Sequence, residues 1–319
     1  MKRTNLSFLS ILTLLAFAGG CQTRRDHVVC ESYVHKYGVP LSGDTEWAAR
    51  GQSGQIVQKR DDGVVVTRSY ESGILQGETT YTYPHRESIQ KRENYQNGAL
   101  IQETWNYGNG IPLRQVNYTS PSTRTEIVWY DNGVPQSKEE YDRRLLKHGE
   151  YFTINNLQEA GVNNQNGTRI RRDRYGELES VDVIQEGLMI SSSTFHPNGS
   201  PKSVTPYVNG VADGQKLTFL PGGEPSTVET WVNGVQHGMA TEYQDGEKVS
   251  NVPYAYGARH GIEFRYRDDG QTLVQEVSWM DGTKYGPTYT YVEGSKKEQW
   301  YYRNRPVNKQ TFDALRNQE

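Results

Sequence analysis

The side chains best suited to chemistry in this sequence are its histidines. There are seven, and three directly precede a glycine: His148, His237 and His260. Imidazole is a common metal ligand and a general acid or base near neutral pH. Equivalent positions elsewhere in the chain hold Gln76, Asp213 and Tyr285. If one β-hairpin separates His237 from His260, equivalent atoms lie about 9–10 Å apart, whereas zinc needs nitrogens about 2.0–2.1 Å away. We therefore predict a solvent-facing turn position and no metal site.

Acidic pairs are the second candidates for catalysis. Glu139-Glu140 and Asp268-Asp269 are adjacent in sequence, but neighbouring residues on a strand point to opposite faces. A glycosidase needs two carboxylates that face each other across a cleft, about 5–9 Å apart. The chain also has no GxSxG, HExxH, GxxxxGK or CxxC motif. We expect no enzyme activity and no cofactor. An enzyme would be inactivated by a single acidic substitution, whereas a scaffold would lose binding gradually as repeats are deleted.

A repeat organises the glycines. One series of turns ends at Gly199, Gly223, Gly246, Gly270 and Gly294, and a second ends at Gly210, Gly234, Gly257 and Gly282. Both series recur every 23–25 residues, and each member of the second series has another glycine four residues later. The N-terminal half carries a less regular version of the pattern, with turns at Gly73, Gly98, Gly133 and Gly167. Such periodicity is typical of repeat proteins.

The segments between the turns are rich in Thr, Val, Tyr and Trp, which favour strands. Asn-Gly and Asp-Gly permit tight hairpins, and connections this short require antiparallel neighbours. We predict an all-β fold: an elongated antiparallel β-meander of about ten hairpin repeats of roughly 24 residues over 55–304. Residues 21–54 form a tether and N-terminal cap, and residues 305–319 form a short C-terminal cap helix with Thr311 as a candidate N-cap.

Two aromatic columns follow the repeat. Their members are Tyr207, Trp231, Tyr254 and Trp279 before the second turn, and Phe219, Tyr243, Tyr266 and Tyr291 after the paired glycine. Aromatic ladders stabilise thin sheets across strands. Exposed Tyr and Trp also suit protein and glycan interfaces. The columns are therefore candidates for packing, for binding, or for both.

The N-terminus has the pattern of an export signal. Lys2 and Arg3 precede the apolar run LSFLSILTLLAFA at 6–18, which is too short to span a bilayer as a helix. The stretch from Ala18 to Cys21 resembles the lipobox of bacterial lipoproteins, which implies removal of residues 1–20 and acylation of Cys21. Cleavage after Ala18 to give a free secreted protein is the alternative. Cys30 then remains as a lone thiol, either packed locally or available for an intermolecular disulfide.

The charge balance argues against nucleic acid as a partner. Lys and Arg number 35 against 38 acidic residues, and without residues 1–20 the net charge is 33 − 38 = −5. Mean hydropathy is −0.83, yet the 22 Tyr and 6 Trp are unlike a disordered chain. The composition suits a thin sheet whose faces are both partly wet.

The sequence WVNGVQHGMATEY at 231–243 resembles the MORN repeat, and YDNGVPQSKEEY at 130–141 is similar to the MORN-variant repeats of the YwqK-like family. The resemblance covers roughly 55–315. It implies a β-repeat architecture and, from the family's usual label, an antitoxin that neutralises a partner toxin. The export signal departs from an intracellular antitoxin. A neighbouring gene for an exported toxin would favour that alternative.

These observations lead us to expect an exported, lipid-anchored repeat scaffold of the cell envelope. Its extended sheet would bind a protein partner or an envelope glycan, and its N-terminal lipid would hold it to a membrane. Gln22 after Cys21 implies, by the sorting rules of lipoproteins, the outer membrane. A periplasmic or secreted protein is the alternative location.

Overall fold

The computed structural model describes residues 27–318. They form one antiparallel sheet of 27 strands with two short helices, and strands make up 64% of the chain against 5% for helix. The predicted all-β meander with a short C-terminal helix is confirmed. Cys21 and the predicted signal segment 1–20 lie outside the described residues.

The first half of the sheet contains β1 (Val28–His35), β2 (Pro40–Leu41), β3 (Gly54–Arg60), β4 (Val65–Glu71), β5 (Ile74–Thr82), β6 (Ile89–Gln96), β7 (Ala99–Asn106), β8 (Pro112–Tyr118), β9 (Thr123–Trp129), β10 (Pro135–Asp142), β11 (Leu145–Phe152), β12 (Gln158–Asn163), β13 (Asn166–Arg172) and β14 (Leu178–Gln185). The second half contains β15 (Leu188–Phe195), β16 (Pro201–Val208), β17 (Val211–Ala212), β18 (Gly214–Phe219), β19 (Pro225–Val232), β20 (Val235–Gln244), β21 (Glu247–Ala255), β22 (Ala258–Arg259), β23 (Gly261–Tyr266), β24 (Leu273–Met280), β25 (Thr283–Val292), β26 (Ser295–Tyr302) and β27 (Arg305–Val307). The helices are α1 (Asp44–Ala49) and α2 (Lys309–Arg316).

The strands pair in chain order. Three two-residue strands, β2, β17 and β22, sit beside a longer neighbour, so that β1 also pairs with β3, β16 with β18, and β21 with β23. Every pairing is antiparallel, as hairpin connections of two to six residues require. The strands already begin at β1, within the segment expected to be tether and cap.

The strands end along two opposite sides of the sheet, and we call these sides its turn edges. Each turn edge has its own kind of turn. On one edge, Asn-Gly turns have positive φ at both residues: 50° and 79° at Asn97 and Gly98, and the same values at Asn233 and Gly234. This is the two-residue type I′ geometry that matches the twist of a hairpin. The opposite edge mostly has wider turns, as at Tyr130, whose N–H donates to Val134 O at 2.9 Å.

Hydrogen bonds between successive repeats join the turns along each edge. On the type I′ edge, the glycine N–H donates to a carbonyl of the preceding repeat at 2.8–2.9 Å, as in Gly98 to Leu75, Gly234 to Ala212 and Gly257 to Gln236. On the wide-turn edge, tyrosine hydroxyls donate to a carbonyl of the following repeat at 2.6–2.9 Å: Tyr83 to Asn106, Tyr107 to Trp129 and Tyr130 to Phe152. These hydrogen bonds join neighbouring repeats in addition to the strand ladder.

Buried strand residues lie on one face, which we call the inner face. Its central row includes Thr79, Glu93, Val116, Val162, Asp182, Thr205, Ala240, Val252, Glu263, Val277 and Thr288, each no more than 9% exposed. Cross-strand pairs such as Thr79–Glu93 and Glu263–Val277 place these residues side by side. The apolar core is small: Leu146, Tyr151, Val162 and Ile184 form its buried cluster.

Helices cover parts of both ends. Trp47 of α1 packs against Tyr33 and Tyr70, with ring centroids 5.8 and 6.1 Å away. Phe312 of α2 packs against Tyr285 and Trp300, each at 5.0 Å. The prediction of Thr311 as the N-cap is wrong, because the cap lies three residues earlier in the chain. Asn308 is the N-cap, because its side chain accepts the N–H of Thr311 at 2.8 Å.

Candidate functional site

Acidic residues recur along the central row of the inner face. Glu93, Glu103, Glu126, Glu139, Asp182, Glu229 and Glu263 all lie at central-row positions. A buried charge is tolerated only when it is paired and hydrogen-bonded. Asp182, for example, accepts Nε and NH2 of Arg169, each at 2.8 Å, and the Ser192 hydroxyl at 2.6 Å. In a protein with a full hydrophobic core, apolar residues would occupy the positions that these ion pairs hold here.

Glu93 is held by three donors. Lys91 Nζ lies 2.6 Å from Oε1, and the hydroxyls of Tyr81 and Tyr95 each donate to Oε2 at 3.0 Å. Burial alone would raise the pKa of Glu93, but the hydrogen bonds from Lys91 and Tyr81 and the lysine charge outweigh it and lower the pKa. The same contacts raise the pKa of Lys91 against the effect of its burial. The pair is therefore ionised throughout the neutral range.

We expect Glu93→Gln to remove a pH-dependent part of the stability. Because the folded-state pKa is depressed, the ionised carboxylate stabilises the fold above its unfolded pKa of about 4.3. That contribution is lost as pH falls through the folded pKa. The urea midpoints of wild type and variant should differ most near pH 7 and converge only as the pH falls below the unfolded pKa and through the lower folded one. Glu78→Gln, at a half-exposed pair with Arg92, is the control. A midpoint difference that stays constant from neutral to acid pH contradicts the expectation.

The first aromatic column packs on the inner face around these carboxylates. Trp231 Nε1 donates to Glu229 at 2.8 Å, and Trp279 Nε1 donates to Glu263 at 2.7 Å. Basic side chains lie on the same rings, with Arg259 Cζ 5.0 Å from the centroid of Trp279. Tyr207, Trp231, Tyr254 and Trp279 are all half-buried. The first-column side chains therefore hydrogen-bond to carboxylates of the central row and also shield that row from solvent.

The second aromatic column is less uniform. The Tyr291 hydroxyl donates to Glu276 at 2.7 Å, and the Tyr266 hydroxyl accepts from Asn251 at 3.3 Å with Lys248 Nζ 4.0 Å from the ring centroid. Phe219, Tyr243, Tyr266 and Tyr291 are also half-buried. The eight column residues form two lines along the sheet, and the structure does not bring them together into one pocket.

A cleft of about 620 Å³ lies on the inner face between β7 and β14. It is lined by Trp105, Leu113, Arg114, Glu126, Val128, Gln136, Ser137, Glu139, Tyr141, Tyr151, Ile170, Arg171, Arg172 and Glu179. Strands far apart in the meander share this cleft, and Gln136 Nε2 on β10 donates to Arg172 O on β13 at 2.7 Å. The sheet therefore curls here, and the cleft belongs to the less regular N-terminal half of the repeat.

Glu139 forms the floor of the cleft. The hydroxyls of Tyr141 and Tyr151 donate to its two carboxylate oxygens at 2.8 Å each. Burial and the charge of Glu139 raise the pKa of both tyrosines, so they remain protonated donors. Gly149 leaves room for this arrangement, because a Cβ there would lie 2.5 Å from the Tyr151 oxygen. Both oxygens of Glu139 are thus occupied from within the protein.

The arginines of the cleft are not equivalent. Arg114 is paired with Glu126, and Arg172 forms two hydrogen bonds of 2.7 Å with Glu159. Arg171 has only a 3.7 Å approach to Asp182, whose oxygens already accept stronger donors. Its side chain is 31% exposed. Arg171 is therefore the cleft guanidinium best placed to bind an external acceptor.

The histidine position before the paired glycine has a structural role that the sequence did not predict. Its side chain reaches the first residue of the next type I′ turn: Gln76 accepts from Asn97 N–H at 2.7 Å, Asp213 from Asn233 at 3.0 Å and His237 from Tyr256 at 3.4 Å. His260 Nδ1 lies 3.2 Å from Asp281 Oδ1. His148, His237 and His260 are exposed as expected. The predicted turn position is wrong for His148 and His237, which lie within β11 and β20, and His237 and His260 contact the next repeat.

Residues 27–318 contain no group of three or more His, Cys, Asp or Glu arranged to hold a metal ion. Within the same range, no helix is long and apolar enough to cross a membrane. Cys30 is exposed and carries a free thiol.

The cleft was not found from the sequence, although a signal for the buried carboxylates exists. Glutamate stands two residues before an aromatic residue in Glu93-x-Tyr95, Glu139-x-Tyr141 and Glu229-x-Trp231, the last of which belongs to the first column. Residues two apart on a strand share a face, so this spacing predicts an acid beneath an aromatic ring. The curling that closes the cleft has no comparable local signal.

No protein-family model matches the chain, and no curated protein does. Among solved structures, a mutant of the Photorhabdus luminescens Tc holotoxin pore is 9% identical over 86% of this chain and 20% of that chain, with a TM-score of 0.20. TcdB2-TccC3 without its hypervariable C-terminal region is 13% identical over 88% of this chain and 16% of that chain, with a TM-score of 0.19. This chain thus spans a fifth or less of those chains. Similarity this weak supports no conclusion about fold or function.

Proposed function

We propose that the protein is an exported, lipid-anchored scaffold that binds a protein or envelope glycan through the inner face of its sheet. The observation behind the proposal is the cleft between β7 and β14. Its volume of about 620 Å³ lies within the usual range for binding pockets, roughly 300–1,000 Å³. It combines apolar walls at Leu113 and Val128 with the half-exposed guanidinium of Arg171, which suits a ligand with an apolar part and a hydrogen-bond acceptor.

Binding without catalysis fits the state of the cleft carboxylates. Glu139 accepts two tyrosine hydroxyls and Glu126 is paired with Arg114. A general acid or base must be within hydrogen-bond reach of the proton it transfers. Here the oxygens already face internal donors, so we assign these carboxylates to holding the cleft's shape.

The anchor is the second element of the proposal. We expect acylation of Cys21 and retention at the outer membrane, with β1 starting only seven residues later at Val28. Intact mass and N-terminal peptide mapping of the mature protein test this directly. An acylated first residue Cys21 supports the anchor, an unmodified Gly19 start means a free secreted protein, and an intact Met1 start rejects export.

Site-specific photo-crosslinking tests the binding face. A photoreactive residue at Leu113, which is 36% exposed in the cleft, should capture a partner in cells. The matched control is Val183, 43% exposed, which faces away because its neighbour Asp182 lies on the inner face. Protease and muramidase sensitivity of the adduct tell a protein from a glycan.

Arg171→Glu should reduce the Leu113 adduct at least about tenfold, since a reversed charge repels the acceptor that the arginine binds. Its unfolding midpoint is measured alongside to show that the sheet is intact. Equal adducts from Leu113 and Val183, or an adduct indifferent to Arg171→Glu, contradict binding in the cleft.

A further inference from the structure

One buried hydroxyl in the cleft between β7 and β14 lacks a hydrogen-bond partner. Ser137 lines this cleft and is only 8% exposed. Among residues 27–318, no group hydrogen-bonds to its side chain, although the oxygen is not sealed from solvent. Buried polar groups are normally paired. The Ser137 hydroxyl is therefore free to hydrogen-bond to a bound molecule.

Arg171 offers unused donors in the same cleft. Its Nε lies 3.7 Å from Asp182 Oδ2, which already accepts from Arg169 at 2.8 Å. Two guanidinium groups thus approach one carboxylate. A guanidinium binds a carboxylate through two parallel hydrogen bonds, so a carboxylate supplied by a ligand would use the donors of Arg171. A phosphate dianion suits the cleft less, because Glu126 and Glu139 also line it and would repel the second charge.

The apolar surface that remains free in the cleft is aliphatic. Cations already lie over its aromatic rings, with Lys91 Nζ 4.6 Å and Arg114 Cζ 5.2 Å from the centroid of Trp105. Arg124 Cζ lies 4.2 Å from the centroid of Tyr141. The aliphatic lining consists of Leu113, Val128 and Ile170. Such a wall matches an aliphatic side chain better than a sugar ring, which would need a free aromatic face.

We infer that the cleft binds the C-terminus of a protein partner whose last residue is aliphatic. This inference rests on the proposed function and names the partner's chemistry. The terminal carboxylate binds Arg171, the last side chain packs on the aliphatic wall, and Ser137 hydrogen-bonds to the peptide backbone. A fatty acid shares the carboxylate and the hydrocarbon but has no peptide group for Ser137.

Affinity selection from a peptide pool tests the chemistry directly. The pool contains tetrapeptides with three randomised positions followed by Leu, Ile or Val, half as free acids and half as C-terminal amides. The full chain in detergent is mixed with the pool, and bound peptides are separated by gel filtration and identified by mass. Free acids should be enriched at least about tenfold over amides, since charge-assisted hydrogen bonds are lost in the amide. Hexanoate at the same concentration should not displace them.

Variants of the full chain locate the binding. Arg171→Gln should weaken binding of the most enriched peptide at least about tenfold, and Ser137→Ala about fivefold. Arg144→Gln is the matched control, because it removes the same charge from an exposed turn and should change the affinity less than about twofold. Urea midpoints of the three variants show whether each sheet is intact.

Equal enrichment of acids and amides overturns the inference. So does a pool from which no peptide is retained at high micromolar concentration, displacement by hexanoate, or an affinity indifferent to Arg171→Gln and Ser137→Ala. In each case the proposed function still stands if the photoreactive residue at Leu113 captures a partner that depends on Arg171. Loss of that adduct as well rejects both.

Discussion

Asp182→Asn should lower the free energy of unfolding by about 3–5 kcal/mol, because it removes one partner of a buried ion pair. Asp182 and Arg169 expose only 3% and 12% of their side chains. Burial alone would lower the pKa of Arg169, but the charges of Asp182 and Glu139 outweigh it and raise the pKa. An arginine side chain is not deprotonated in a protein, so in the variant the guanidinium stays charged and buried beside an amide that cannot neutralise it. Urea unfolding at neutral pH measures the loss.

Two comparisons separate the ion pair from general damage at Asp182. Glu78→Gln breaks the half-exposed pair with Arg92 and should change stability by less than about 1 kcal/mol. Arg169→Met combined with Asp182→Asn removes both charges, so the double variant should be more stable than Asp182→Asn alone. If the double variant is less stable than the single one, the buried charge is not the cause.

Gly167→Ala is the second large effect, and we expect a loss of more than about 3 kcal/mol. Gly167 has φ of +147°, and a Cβ there would lie 2.2 Å from the carbonyl oxygen of Gly161 and 2.9 Å from the Cα of Val162. Both contacts are backbone atoms of the paired strand β12. The clash can be relieved only by separating β12 from β13, next to the buried cluster that includes Val162.

Gly199→Ala is the matched control, because it introduces the backbone strain of a positive φ without a close contact. Gly199 has φ of +81°, and a Cβ added there would have no atom within 4 Å, so only the left-handed conformation opposes the substitution. That costs about 1–2 kcal/mol. Thermal or urea midpoints of the two variants should therefore differ clearly. Equal losses would mean that the close approach of β12 and β13 relaxes freely.

The fold was predictable because its signals are local. Asn-Gly at 97–98 and 233–234 specifies type I′ turns, and the regular spacing of such turns specifies a meander. The face of the sheet to which each side chain points was harder to predict, because bulges shift the register within many strands, as between Glu229 and Trp231. A one-residue shift reverses which side chains point inward, so the column residues could be listed from the sequence but not placed.

The cleft depends on contacts that no repeat unit contains. It brings Trp105 near Arg171, more than sixty residues apart in the chain, and it lies where the spacing of the turns shortens. Periodicity describes what successive units share, whereas this site arises where they differ. The role of His237 was missed for a related reason: its partner, the N–H of Tyr256, belongs to the next unit.

The contacts between turns have a direction along the chain. Gln76, Asp213 and His237 each complete a turn that lies about twenty residues later, and the glycine of that later turn donates back to the earlier repeat. On this side of the sheet, each unit therefore offers the groups on which the turn of the next one closes. A chain cut short at its C-terminus should keep most of the contacts of its earlier repeats, while one cut at its N-terminus should leave the turn of its first remaining repeat without these partners.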